Sequence, residues 1–173
     1  MPTLTHRPLT DLEAELLHRE LKSTPNILGY TIGELRRLTD VQVAEQEARF
    51  AGVCFSVDLR GKWTEIAALY VLPEFRGLGL GERLFEAASR RAQERRRHVY
   101  VLSRNPQVIA WMREAGMTID TQHWRAPPAV HWYLLGYMAS RYRIAESVRK
   151  RKAMRDCPAL VQGIKKAAKE QAE

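Results

Sequence analysis

Six consecutive residues, Arg76-Gly77-Leu78-Gly79-Leu80-Gly81, carry the clearest chemical signal in the chain. They follow an apolar run, Ile66 to Leu72, that reads as a strand closed by Pro73. They lead into a segment with Leu80, Leu84, Phe85, Ala88 and Ala92 at helical spacing. A strand, a tight glycine turn and a helix N-terminus together make an anion site. Glycine lets the backbone turn sharply and approach a ligand closely. The first N–H groups of a helix lack intrahelical partners and lie at the positive end of its macrodipole. A phosphate or pyrophosphate is the natural guest. The spacing narrows the choice. A dinucleotide loop needs G-x-G-x-x-G and an acidic residue roughly 20 positions on, but here the pattern is G-x-G-x-G, followed by the basic cluster Arg95-Arg96-Arg97. A P-loop needs Gly-Lys-Ser/Thr after its second glycine, and this chain offers Gly81-Glu82-Arg83.

What remains is V-x-P-x-x-R-G-x-G-x-G, running from Val71 through Pro73 and Arg76 to Gly81. It resembles motif A of the GNAT superfamily of acyl-CoA-dependent N-acyltransferases. The resemblance implies an α/β (α+β) GNAT fold: a mixed, mostly antiparallel sheet of about six or seven strands flanked by helices. It implies direct transfer of an acetyl group from acetyl-CoA, a cosubstrate, to a primary amine. Pantetheine would lie in an opening between the fourth and fifth strands against the main chain of Leu69 and Val71. The pyrophosphate would meet the amides of Gly77, Leu78, Gly79, Leu80 and Gly81, with the permanent charge of Arg76 beside them. Glu65 stands six residues before Val71, where many family members carry the catalytic glutamate. It is also the one carboxylate on an otherwise apolar strand, where burial would raise its pKa towards that of a useful base. The family's second motif, N-x-x-A-x-x-x-Y-x-x-x-G-F, is met at Asn105 and Gly116. Its tyrosine, which often protonates the departing thiolate, aligns with Met112. Ser103 is the candidate substitute donor, and Asn105 is grouped with the cofactor contacts. The acceptor stays open among a small amine, a protein amino group and an aminoacyl-tRNA. The rival is a non-catalytic acyl-CoA-binding module that senses or scaffolds.

The elements that must position these residues are partly legible. Leu12, Leu16, Leu17 and Leu21 share one face of a first helix from Asp11 to Lys22. Thr31 and Glu34 have the spacing of a capping box on a short second helix. Val41 to Arg49, Phe50 to Leu59 and Lys62 to Leu72 read as strands, with Leu4 to Arg7 as a short first one. The glycine-loop helix is expected from about Leu78 to Arg96, a strand over His98 to Ser103, and a helix from Asn105-Pro106 to Ala115. Met117 to Trp124 and Val130 to Met138 read as the last two strands. Val130, Tyr133, Leu134, Tyr137 and Met138 also fit helical spacing, but aromatic content and two preceding prolines favour a strand. Ser140 caps a final basic helix, giving a domain over residues 1–139 and a basic helical tail over 140–173.

Composition bounds the rest. The chain has 173 residues, enough for one domain with a real core. Its net charge is +8, and from Ser140 onward ten Lys/Arg face four Asp/Glu, so most of the surplus sits in the tail. A solvated face, contact with nucleic acid or the ribosome, and an anionic membrane or partner are the open readings of that tail. A homodimer stays open too. The longest apolar stretches are far below the ~20 residues of a membrane span, and no secretory leader is evident. Two cysteines make no disulfide framework, so a cytoplasmic location is expected. The five histidines show no metal spacing, and no metal is expected. Arg90, Arg91 and Arg95–Arg97 read as a solvated face, with a basic groove for the CoA 3′-phosphate or nucleic acid as the alternative. Trp111, Trp124, Trp132 and Tyr133 read as core or as walls of an acceptor pocket.

Overall fold

The structure, a computed structural model, describes residues 2–25, 27–155 and 157–167. Asn26 of the expected first loop and the last six residues of the expected tail lie outside them. The elements in chain order are β1 (Thr3–His6), α1 (Asp11–Ser23), α2 (Ile32–Leu35), β2 (Val41–Gln46), β3 (Arg49–Asp58), β4 (Trp63–Val71), α3 (Leu80–Glu94), β5 (His98–Ser103), α4 (Pro106–Glu114), β6 (Thr118–Asp120), α5 (Pro128–Met138), α6 (Arg141–Arg155) and β7 (Val161–Lys165). Seven strands form one sheet in the order β1-β2-β3-β4-β5-β7-β6, in which β4 and β5 are the parallel pair. This is the mixed, mostly antiparallel sheet expected. Both helix starts behave as their sequences dictate: Thr10 with Glu13, and Thr31 with Glu34, form complete capping boxes.

The helices cover both faces of the sheet. Leu69 packs near Gly81 at the start of α3, whereas Tyr70, one residue on, donates its hydroxyl to Glu20 of α1 at 2.9 Å. Alternate strand residues point to opposite faces, so α3 and α1 lie on opposite sides. One main core fills both, from Ala14, Leu17 and Leu21 of α1 to Leu80, Leu84 and Phe85 of α3.

Three expectations need correction. Residues Val130 to Met138 are not a strand but lie in α5, where Pro128 occupies a first-turn position that needs no N–H. Helical spacing wins because α5 has two things to cover. Val130 joins a small second core with Tyr100 and Ala126, while Tyr137 packs against the main core. Second, the segment after 140 is not appended to a finished domain. Val161–Lys165 forms β7, which pairs antiparallel with β5 on one side and β6 on the other. Third, α6 is solvated on one side only: Arg141, Arg149, Arg151, Lys152 and Arg155 are exposed, but Arg143, Glu146 and Lys150 are buried.

Candidate active site

The decisive local event is a β-bulge. Along β3 and β4 the register runs Phe55 opposite Ala68, then Ser56 opposite Ile66, which leaves Ala67 unpaired. A bulge bends the strand and increases its twist. Strand β5 accordingly pairs with Trp63 to Ile66 and no further, while β7 pairs along the other edge of β5 from Val99 to Ser103. The end of β4, from Ala67 to Val71, therefore has an open edge. Leu72 N–H donates to Ala51 O at 2.9 Å on the β3 side. By alternation the N–H groups of Leu69 and Val71 point the other way, to the open edge. The Arg76 guanidinium folds back, its Nε donating to Val71 O at 3.2 Å.

Beyond Pro73 the loop is a cradle of amides. Gly77 and Gly79 have φ of +80° and +71°, left-handed values that favour glycine. A Cβ at either would meet nothing within 4 Å, so these glycines serve the backbone turn and face open space. Among the described residues, none of the N–H groups from Gly77 to Glu82 has a main-chain partner. Such a run at a helix N-terminus concentrates positive potential. Gly81 differs: a Cβ there would lie 2.7 Å from the Trp111 ring, so its glycine permits close packing of α3 on α4. The Leu78 side chain is exposed, whereas Leu80 is buried.

A cavity of about 1260 Å³ joins this loop to Glu65 through the open edge of β4. It exceeds the roughly 300–1,000 Å³ usual for small-molecule pockets. Glu65 is 6% exposed, and its Oε2 has no hydrogen-bond partner. Burial pushes its carboxyl up from 4.5 to about 7, against the opposing pull of Tyr133 and the Arg143 charge. Tyr133 and Tyr137 of α5 line the same cavity with Tyr30. The Arg143 guanidinium stacks between Tyr137 and Tyr30, at 3.6 and 4.4 Å from their ring centres. Ser103 lines the cavity at the end of β5, its Oγ accepting from Asn105 N–H at 3.1 Å. Asn105 caps α4, its Oδ1 accepting from Gln107 N–H at 2.9 Å, and also lines the cavity. Arg76, Gly77, Gly79, Leu80 and Gly81 thus come to one cleft with Leu69, Val71, Glu65, Ser103 and Asn105, whereas Leu78 does not line it.

Other residues lie elsewhere. Met112 is fully buried and packs towards β7, where a Cβ on Gly163 would strike it. The position aligned with the family's tyrosine therefore points into the sheet, and its neighbour Trp111 faces the cleft. Of the arginines at the end of α3, Arg90, Arg95 and Arg96 are exposed, while Arg91, Arg95 and Arg97 are also ion-paired. Arg91 and Arg95 bind Asp40, and Arg95 and Arg97 bind Asp58, tying α3 to the sheet. Trp124 and Trp132 are 72% and 75% exposed, neither core nor wall. Sequence reasoning missed Arg143, which was counted with the tail. No local pattern signals it, because its two stacking partners, Tyr30 and Tyr137, lie far apart in the sequence.

No helix among the described residues is long and apolar enough to cross a membrane. No curated protein matches the chain in sequence. Solved structures do match in fold. N-acetylglutamate synthase from Neisseria gonorrhoeae, complexed with coenzyme A and N-acetyl-glutamate, is 18% identical with a TM-score of 0.65 over 96% of this chain. This chain spans only 36% of that protein's length. Rv2747 from Mycobacterium tuberculosis, in complex with CoA and NLQ, is 14% identical with a TM-score of 0.63, covering 92% of this chain and 97% of that one. The ribosomal-protein-S18-alanine N-acetyltransferase from Escherichia coli is 15% identical with a TM-score of 0.60, covering 100% and 99%. The acetyltransferase (GNAT) family model matches residues 11–117, more than half of the sequence. By that match, and by a sheet whose bulged fourth strand opens beside a glycine cradle, the chain belongs to the GNAT family of acetyltransferases.

Proposed function

We propose that this chain transfers an acetyl group from acetyl-CoA to a primary amine by direct attack. The observation that carries the reading is the single cleft linking an unpartnered amide cradle to a buried carboxylate. The amides from Gly77 to Gly81, with Arg76, hold the pyrophosphate. The open edge at Leu69 and Val71 offers main-chain groups to the pantetheine amides, in the manner of an added strand. One N–H of that edge stabilises negative charge developing on the thioester oxygen. Glu65, at a pKa of about 7, takes a proton from the acceptor's ammonium, directly or through one water, and the neutral amine so formed attacks the thioester carbonyl. As the C–S bond breaks, Ser103, whose Oγ already accepts from Asn105, gives its proton to the departing sulfur and is reprotonated by the proton that the acceptor nitrogen sheds. The CoA complexes of the N. gonorrhoeae and M. tuberculosis proteins support CoA as the carrier. The acceptor is not carried over, because these neighbours are related in fold alone.

The test is thiol release from acetyl-CoA with a panel of amines: an N-terminal alanyl peptide, a lysyl side-chain peptide, spermidine and glutamate. Transfer to one class, abolished in Glu65→Gln with CoA affinity retained, supports the reading. CoA binding with no turnover on any amine identifies a binding module instead. No affinity for CoA defeats both.

A further inference from the structure

Helix α6 is built inside out. Its buried face carries Arg143, Glu146 and Lys150, while Ile144 and Val148 stand 51% and 70% exposed. An ordinary surface helix does the reverse. Burying charged groups is unfavourable unless each finds partners, so the contacts of these side chains say what the helix does. Lys150 Nζ donates to three main-chain carbonyls: Leu21 at 2.5 Å, Thr24 at 2.7 Å and Ile27 at 2.7 Å. Glu146, 3.4 Å away, balances its charge. Arg143 donates to Gly29 O and to Glu34, the latter at 2.9 Å. Arg149 donates to Lys22 O at 2.7 Å.

All five carbonyls belong to residues 21–29, the end of α1 and the link towards α2. That link has little main-chain bonding of its own. Among the described residues from 24 to 30, Thr24 N–H to Leu21 O is its one main-chain hydrogen bond outside helices and strands. Yet Thr24, Ile27, Leu28 and Tyr30 form the cavity wall. Tyr30 meets Phe55 edge-on at 5.0 Å, and Phe55 lies opposite Ala68 on the sheet face that also carries Glu65. This is the wall from which an amine would approach the carboxylate.

We propose that α6 is a clamp on the acceptor wall, with Lys150 and Arg143 as positioning residues that hold residues 21–30 in the shape that presents the amine to Glu65. The proposal rests on the acetyl-transfer reading and adds to it that the segment beyond residue 140 is part of the acceptor site. It also gives a use to three of the segment's basic residues, Arg143, Arg149 and Lys150: ammonium and guanidinium groups are donors without acceptors, suited to gathering carbonyls.

Two variants test it from opposite sides. Lys150→Met keeps the chain length and strips three carbonyls of their donor. Gly29→Ala removes no charge, but its new methyl would sit 2.9 Å from Glu146 Oε2 and Tyr142 Oη. The amine from the panel that the parent acetylates fastest is the probe. In both variants its KM is expected to rise about tenfold, since small misplacements are felt strongly in near-attack geometry. KM for acetyl-CoA and the calorimetric Kd of CoA should stay within about twofold, while amide exchange over residues 24–30 accelerates. Unchanged amine KM and unchanged exchange, or an equal loss of CoA affinity, overturns the clamp. If Lys150→Met does not fold, Gly29→Ala decides. If the parent acetylates no amine, the acetyl-transfer reading has failed on its own, and the exchange of residues 24–30 in Gly29→Ala still decides the clamp.

Discussion

Glu65 is a carboxylate that the fold has made reluctant to ionise. Folded, it keeps its proton to about pH 7; unfolded, it releases it near 4.5. Between those values the native chain binds more protons, so stability falls as pH rises, by up to about 3 kcal/mol in all. Glu65→Gln is therefore expected to be more stable than the parent at pH 8 and equal to it at pH 4, as urea unfolding at the two pH values will read. Turnover should show the opposite limb, rising through pH 7 as the carboxylate forms. The variant loses that limb and falls by about 10²- to 10⁴-fold in kcat. Around this group lie Tyr133, Tyr137, Tyr30, Tyr100 and the Arg143 cation. Gly79 gives a second prediction. Its φ of +71° makes alanine strained by about 1–2 kcal/mol, although no atom would clash. Gly79→Ala should weaken CoA by more than tenfold in calorimetry with little change in the amine KM, separating the cradle from the acceptor wall.

At the scale of elements, α4 explains why the family's tyrosine is absent. Position 112 lies under β7 against Gly163, a site of close packing away from the cleft. Met112→Tyr should thus overpack the sheet and destabilise by about 1–3 kcal/mol, with no gain in kcat. The β2–β3 hairpin offers the converse. Glu47 and Ala48 both have positive φ, as a two-residue turn of this twist demands, but neither is glycine. Ala48→Gly should raise stability by about 0.5–1 kcal/mol in denaturant unfolding with activity unchanged. The turn was invisible in the sequence because its residue types carry no turn signal. The strands it joins were visible through their β-branched and apolar content. Helix α5 was misread because a short apolar segment fits both periods, and the choice depends on what lies on either side.

The whole molecule closes only with β7. It stands between β5 and β6, so its removal would leave two unsatisfied strand edges and open the space beneath α5. A chain ending at residue 155 is expected to lose cooperative unfolding in circular dichroism, whereas one ending at 167 retains it. The glycine spacing, the placement of Pro73, the lone carboxylate at Glu65 and the capping boxes are local patterns, and local patterns survive without a partner. They sufficed for the cradle, the strand before it and the family resemblance. The bulge at Ala67 that splits β4 from β5, the turning of Met112 away from the cleft, the insertion of β7 and the grip of α6 on residues 21–29 are pairings between distant segments. A linear pattern carries charge and hydrophobicity but not the identity of the neighbour that will satisfy them, and the buried lysine of α6, which resembles a solvated tail residue until three carbonyls surround it, belongs to that second class.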